Sequence, residues 1–229
     1  MIGWGQTRRL EVRYTGELRG QVDALPRLAT LVQEERRQHP DLVLVDCGNF
    51  SRGTPLAEEF HGQPLAEVFA HLGYAAVLPG EMERAWGLTV LRELAAWCPF
   101  VAADWVGVGG CWASSRRLES NGLQVVVAGL AGTAPEGVRT LEPEAALTPV
   151  LQDLAPHEVG ILLSRLGWRR NRELALRFDQ FQVILDGPAS PAEAVRVHHS
   201  LLVPGGLGPA SVGSLGLDLT GSLVIGGES

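Results

Sequence analysis

Histidine, cysteine and arginine are the side chains through which this chain could do chemistry. Their placement narrows what that chemistry is. His61, His198 and His199 invite a metal reading. His198 and His199 are adjacent, and neighbours on a strand or helix point in different directions, so both cannot face one ion and surface histidines are expected. His39 and His71 fall near the ends of predicted helices, where the dipole favours a cation. Cys47, Cys98 and Cys111 are odd in number and lack a CxxC spacing, which indicates neither a disulfide framework nor a zinc knuckle. All 19 basic residues are Arg. Each is a planar, permanently charged fork, so no Lys base or Schiff-base nucleophile is available. The segment 129–137 (Gly-Leu-Ala-Gly-Thr-Ala-Pro-Glu-Gly) lacks the Lys-Ser/Thr ending of a P-loop and the spacing of a dinucleotide fingerprint. It reads as a connecting loop. Arg169, Arg170 and Arg172 read as a solvated helix start.

These groups must be held by regular elements. Residues 41–46 (Asp-Leu-Val-Leu-Val-Asp) form a continuous apolar run between turn residues, the pattern of a strand buried on both faces. Further strands are predicted over 10–14, 75–78, 100–103, 123–128, 159–163, 181–185, 200–203 and 215–219. Helical periodicity appears over 25–38, 65–72, 88–97, 143–154 and 172–178. Strand, loop and helix alternate, which predicts an α/β layered domain. In such sheets the site forms at the loops following the carboxyl ends of strands. Those loops are 15–20, 47–55, 79–87, 164–171 and 186–191. A thiolate nucleophile at Cys47 would need a base within reach. No His lies in any of the five loops, so a packed or idle thiol is expected.

With 229 residues the chain can bury a sizeable core, and 45% hydrophobic with 20% charged residues excludes general disorder. A net charge of −7 argues against nucleic acid as the main partner. No apolar run approaches a membrane span, and the start has no stretch of signal-peptide length. A soluble, cytoplasmic protein is expected.

The five loops, in order, resemble those of the calcineurin-like metallophosphoesterases, most closely the catalytic domain of the 5′-nucleotidase branch. Residues 25–36 (Leu-Pro-Arg-Leu-Ala-Thr-Leu-Val-Gln-Glu-Glu-Arg) resemble the family's first helix. Residues 46–55 resemble its Asp-x-Gly-Asp-x-x-x-Gly-Thr-Pro loop. Leu72-Gly73-Tyr74, followed by Gly80-Glu81-Met82-Glu83 and Gly87-Leu88, resembles the stretch holding Gly-Asn-His-Glu. Residues 159–168 resemble the strand leading to Ser-His-Leu-Gly, and 183–190 the strand leading to Gly-His-x-His. The resemblance spans about residues 10–220. It implies a single metallophosphoesterase-like domain over 1–229, a four-layer α/β/β/α sandwich without the family's separate C-terminal substrate domain. The family hydrolyses phosphoesters and nucleotides with two divalent metals.

Position by position, the family's ligands are replaced. Its Asp-x-His after the first strand corresponds to Glu17-Leu18-Arg19, and its bridging Asp to Asn49. Its Asn and adjacent catalytic His correspond to Glu81 and Met82, the next His to Arg165, and the last two His to Pro188 and Ser190. Asp46 and Asp186 stand at the ends of their strands. A two-metal phosphoesterase holds its ions roughly 3.5–4 Å apart on imidazole and carboxylate. Arg has five donors and no acceptor. Two Arg at former His positions would repel a divalent ion by several kcal/mol, about the Coulomb value at an effective dielectric of about 20. The expected function is therefore a catalytically degenerate domain without cofactor that binds a small anion, such as phosphate, or a protein partner. The rival is an active phosphohydrolase with a rebuilt, carboxylate-rich centre. Three arrangements of Glu17, Arg19, Glu81 and Arg165 stay open. They could form an ion-pair cluster replacing the metals, Arg19 and Arg165 could grip an anion, or Glu17, Glu81, Glu83 and Asp46 could hold a residual metal.

Overall fold

The computed structural model describes residues 8–107, 110–188 and 193–219. In the first half, β1 (Arg8–Thr15) leads through a 3-10 turn to α1 (Leu25–Gln38). Then come β2 (Val43–Asp46), α2 (Pro55–Glu59), α3 (Gln63–Leu72), β3 (Ala76–Val77), α4 (Glu81–Ala85) and α5 (Gly87–Leu94). The second half begins with β4 (Trp105–Val106), β5 (Ser115–Ser120), β6 (Leu123–Leu130), β7 (Arg139–Thr140) and α6 (Pro143–Asp153). It continues with β8 (Val159–Ser164), α7 (Trp168–Arg177), β9 (Phe181–Asp186), β10 (Val195–Val197), β11 (Ser200–Pro204) and β12 (Gly213–Leu219).

Two sheets carry the fold. One has the order β12-β1-β2-β3, the other β10-β11-β9-β8-β6-β5, and β4 pairs with β7 apart from them. The strands β1-β2-β3 and β6-β8-β9-β11 pair in parallel, β3 forming the far edge of its sheet. The other edge strands β12, β10 and β5 pair antiparallel. Side-chain alternation shows how the sheets stack. Val125 and Val127 of β6 join one core with Leu10, Val12, Val43 and Val45 of the other sheet, which also takes in Leu28 of α1 and Phe69 of α3. Val126 and Ala128 face the opposite way, onto Leu147 of α6 and Leu174 of α7. Helices, sheet, sheet and helices thus form four layers, as expected. Among the described residues no helix is long and apolar enough to cross a membrane.

Several expected elements differ. The apolar run 100–103 makes only single bridges, Phe100 with Val77 and Val101 with Ala113. Its next amide, Ala103 N–H, donates to Gly129 O in the second sheet. The run crosses between the two sheets and cannot stay in either ladder. β5 is an additional strand. Its sequence, Ser-Arg-Arg-Leu-Glu-Ser, exposes charge on a sheet edge, which suits an unpaired border but hides a strand's apolar rhythm. α7 begins at Trp168 rather than 172, after Gly167 turns the chain at φ 85°. Part of the expected loop 79–87 is the short helix α4.

Candidate functional site

The loops after β1 and β2 continue their strands' pairing. Glu17 N–H donates to Gly48 O at 2.9 Å, Arg19 N–H to Asn49 O at 2.9 Å, and Gly20 N–H to Phe50 O at 2.8 Å. To follow this path Glu17, Arg19 and Asn49 take φ of 60°, 50° and 61°. Asn tolerates the left-handed region, whereas Glu and Arg lose about 1–2 kcal/mol there, so the surrounding contacts must hold them.

Those contacts converge on Glu17. Its Oε1 accepts from Arg165 Nη2 at 3.0 Å and from Asn49 Nδ2 at 2.9 Å, and its Oε2 from Arg19 Nε at 2.9 Å. The side chains of Arg165 and Glu17 are 5% and 4% exposed, while that of Arg19 is 55% exposed. Arg165 also donates from Nη1 to Cys47 O at 3.0 Å, so one guanidinium from the end of β8 clasps two loops of the other sheet. Gly187 makes room for it: a Cβ there would lie 3.1 Å from Arg165 Cγ and 2.5 Å from Cys47 O. The anion that Arg19 and Arg165 share is the protein's own Glu17.

Glu81 does not join this cluster. It is exposed at the first position of α4. The buried carboxylate of that helix is Glu83, and four backbone amides donate to it. Phe50 and Ser51 N–H reach Oε1 at 2.9 Å each, and Asn49 and Gly80 N–H reach Oε2 at 2.9 and 2.7 Å. Glu83 folds back onto the helix start because it sits at the third helical position after the cap Gly80, the spacing of a capping box. That Gly80-x-x-Glu83 spacing was the signal available in the sequence. Met82 N–H donates to Asn49 Oδ1 at 3.1 Å, and Met82 lines a shallow depression with Arg52 and Glu58.

The remaining carboxyls are engaged as well. Asp46 is fully buried and accepts from Thr15 Oγ1 at 2.6 Å and Gly48 N–H at 2.8 Å. Burial pushes its carboxyl up to about 8, so at neutral pH it is mainly the uncharged acid. Asp186 accepts from Asn171 Nδ2 at 2.9 Å, and burial raises it to about 6 against the pull of Asn171 and Arg165. Cys47 is buried, and burial pushes its thiol well above the ordinary range, so it is no thiolate nucleophile. Pro188 is half-buried and offers no side-chain polar atom. Ser190 lies outside the described residues. His198 and His199 are exposed in the β10–β11 turn, their rings stacked edge to face 4.0 Å apart.

Beside the cluster opens a cleft of about 440 Å³, lined among others by Glu81, Arg84, Asp104, Thr133, Glu142 and Arg165. Asp104 was not singled out from the sequence. Its buried oxygens accept from Ala131 N–H at 2.9 Å and Gly132 N–H at 2.7 Å, and burial still raises it to about 6. The loop 129–137 therefore serves to anchor a carboxyl.

The donor set does not fit the two-metal pair that the resemblance implies. Arg165 and Pro188 supply no acceptor, both oxygens of Glu17 and Asp46 are occupied, and Glu83 already receives four amides. Among the described residues no group of three or more His, Cys, Asp and Glu is arranged to hold a metal ion.

No protein-family model matches the chain, and no curated protein matches it. Solved structures do. A 5′-nucleotidase precursor from Thermus thermophilus superposes with a TM-score of 0.77 at 20% identity, over 94% of this chain and 53% of that one. The NAD nucleotidase of Haemophilus influenzae gives 0.80 at 14% identity, over 98% and 50%. A calcineurin-like phosphoesterase from Bacillus subtilis gives 0.74 at 18% identity, over 97% and 89%. The chain has the calcineurin-like phosphoesterase fold, and it spans about half the length of the nucleotidases it matches.

Proposed function

We propose that this chain is a non-hydrolytic domain of the calcineurin-like phosphoesterase fold, a binding module in which the Arg165 guanidinium stands where the family's ions stand. One observation carries the reading: Arg165 lies 3.0 Å from both Glu17 Oε1 and Cys47 O, bridging the loops that a metal pair would bridge. A fixed cation there holds the loops but cannot generate a hydroxide or accept a phosphoryl oxygen into a coordination shell. The rival reading, an active phosphohydrolase with a carboxylate-rich centre, draws its ligands from Glu17, Glu81, Glu83 and Asp46, of which Glu17 and Asp46 already accept hydrogen bonds on both oxygens. Glu81 is exposed on the rim and Glu83 is saturated by amides. A reducing, cytoplasmic setting belongs to the proposal and suits three free cysteines.

The test is elemental analysis of the purified chain, with turnover of a generic phosphodiester and of nucleoside monophosphates in Mn or Mg. The expected result is neither stoichiometric metal nor turnover, and a melting temperature unmoved by chelator. Stoichiometric metal together with turnover that Glu17→Gln abolishes would overturn the reading.

A further inference from the structure

A second cleft, of about 420 Å³, opens between the turn that joins α2 to α3 and the end of α5. It shares no lining residue with the Glu17 cluster or with the cleft beside that cluster. Two aromatic rings line it. Phe60 is 52% exposed and Trp97 38%, and Trp97 is the only exposed tryptophan among the described residues. The backbone keeps both at the surface. After Phe60, His61 and Gly62 take φ of 50° and 79°, and a Cβ on Gly62 would lie 2.4 Å from Ser51 Cβ. The turn is thus pressed onto the buried Ser51, with Gly62 N–H donating to Ala57 O at 2.8 Å, and Phe60 stays on the outer side. At the end of α5 the buried Cys98 donates its N–H to Leu94 O at 2.8 Å, which leaves its neighbour Trp97 outside.

Two carboxylates stand with these rings. Glu59 and Glu93 line the cleft, both exposed, and neither side chain has an ion pair or hydrogen bond among the described residues. None of the chain's 19 Arg lines it. Its one basic group, His61, sets its ring edge-on against Trp86 at 4.9 Å. The neighbouring Trp86 shows what such a set holds. Arg52 places its guanidinium 4.3 Å from the centre of the Trp86 ring, while its Nε and Nη2 donate to Glu58 of α2 at 3.2 and 3.1 Å. There the chain answers a tryptophan face and a carboxylate with a cation of its own. At Phe60 and Trp97, among the described residues, it supplies none. An aromatic face attracts a cation through its quadrupole, and a nearby carboxylate adds Coulomb attraction. The volume lies in the range of small-molecule sites.

We infer that this cleft binds a small organic cation, an alkylated guanidinium or ammonium head on Trp97 and Phe60 with Glu59 and Glu93 as its counter-charges. The inference does not depend on how the Glu17 centre is read. The experiment is calorimetric titration of the whole chain with butylguanidinium, butyltrimethylammonium and butylurea, the last being a neutral match in shape to the first. Saturable binding with a Kd of about 1 mM or tighter is expected for at least one of the cations, and binding about tenfold weaker or less for butylurea. A preference for butylguanidinium assigns the larger part to the carboxylates, and a preference for butyltrimethylammonium assigns it to the ring faces. Trp97→Ala should weaken the cations by about threefold to tenfold. Glu93→Gln, at an exposed helix position, should weaken them by about threefold, leave butylurea as it is and keep the melting temperature of the wild type. No saturable binding of either cation, butylurea binding as well as butylguanidinium, or undiminished binding by both Trp97→Ala and Glu93→Gln would overturn the inference. So would a concentration-dependent dimer that Phe60→Ala abolishes, because a second copy would then cover this face.

Discussion

The cluster around Glu17 and the cleft around Arg84 lie side by side, share Arg165, and are built on opposite principles. In the cluster the polar groups answer one another: Glu17 takes Arg165, Arg19 and Asn49, Glu83 takes four amides, and Asp46 takes Thr15 and Gly48. In the cleft the Arg84 guanidinium has no such partner among the described residues, and Glu81 and Glu142 face solvent. Buried polar networks specify structure when their members are satisfied, as all of these are except Arg165 Nε, whereas half-exposed groups at the edge of a cleft stay in contact with water. Charge alone would not separate the two regions, since both mix Arg with carboxylates. Saturation does.

That contrast can be broken most forcefully at Arg165. Arg165→Ala should destabilise the fold by about 3–5 kcal/mol, because it strands the buried Glu17 carboxylate. The double variant with Glu17→Gln should recover part of the loss in denaturant melts. If Arg165→Ala melts like the wild type, the cluster is not what holds the loops. Next in size is Glu83→Gln, which keeps one acceptor oxygen for four amides and should cost about 2–3 kcal/mol. A third effect depends on pH. Asp46 is raised in the folded state to about 8, above its unfolded value, so the folded chain binds that proton more tightly. Its contribution is fully present at pH below the unfolded value and is lost as pH rises toward about 8. Unfolding free energy should therefore fall from mildly acid to mildly alkaline pH, and Asp46→Asn should flatten that slope. A slope unchanged in Asp46→Asn would remove Asp46 as its source. The smallest effect belongs to Arg19→Ala. Its pair with Glu17 is half in water and should be worth about 0.2–1 kcal/mol.

Much of the architecture was legible because parallel strands buried on both faces leave unbroken apolar runs, as at 41–46 and 159–163. An ion pair between Glu17 and Arg165 was one of three arrangements that the sequence left open, since buried unlike charges pair but the same residues could also grip an anion or hold a metal. The choice between Glu81 and Glu83 was not. The two differ only by where α4 starts, and the resemblance aligned Glu81 with a ligand. The Gly80 cap turned Glu83 inward instead. Asp104 was hidden at the end of a run read as a strand, and its role appears only once that run is seen to cross between the sheets. β5 was hidden by the charges that protect its edge.

Gly187 ties the cluster to one packing solution. A side chain there would press on Arg165 and on Cys47 O. The contacts of the centre lean on one another: Gly187 admits Arg165, Arg165 neutralises Glu17, and Glu17 holds Asn49. Replacing Arg165 alone by a smaller group would leave the buried Glu17 charge unanswered. Residues that share partners in this way respond to change non-additively. Redesign of the centre should therefore begin with several positions changed together.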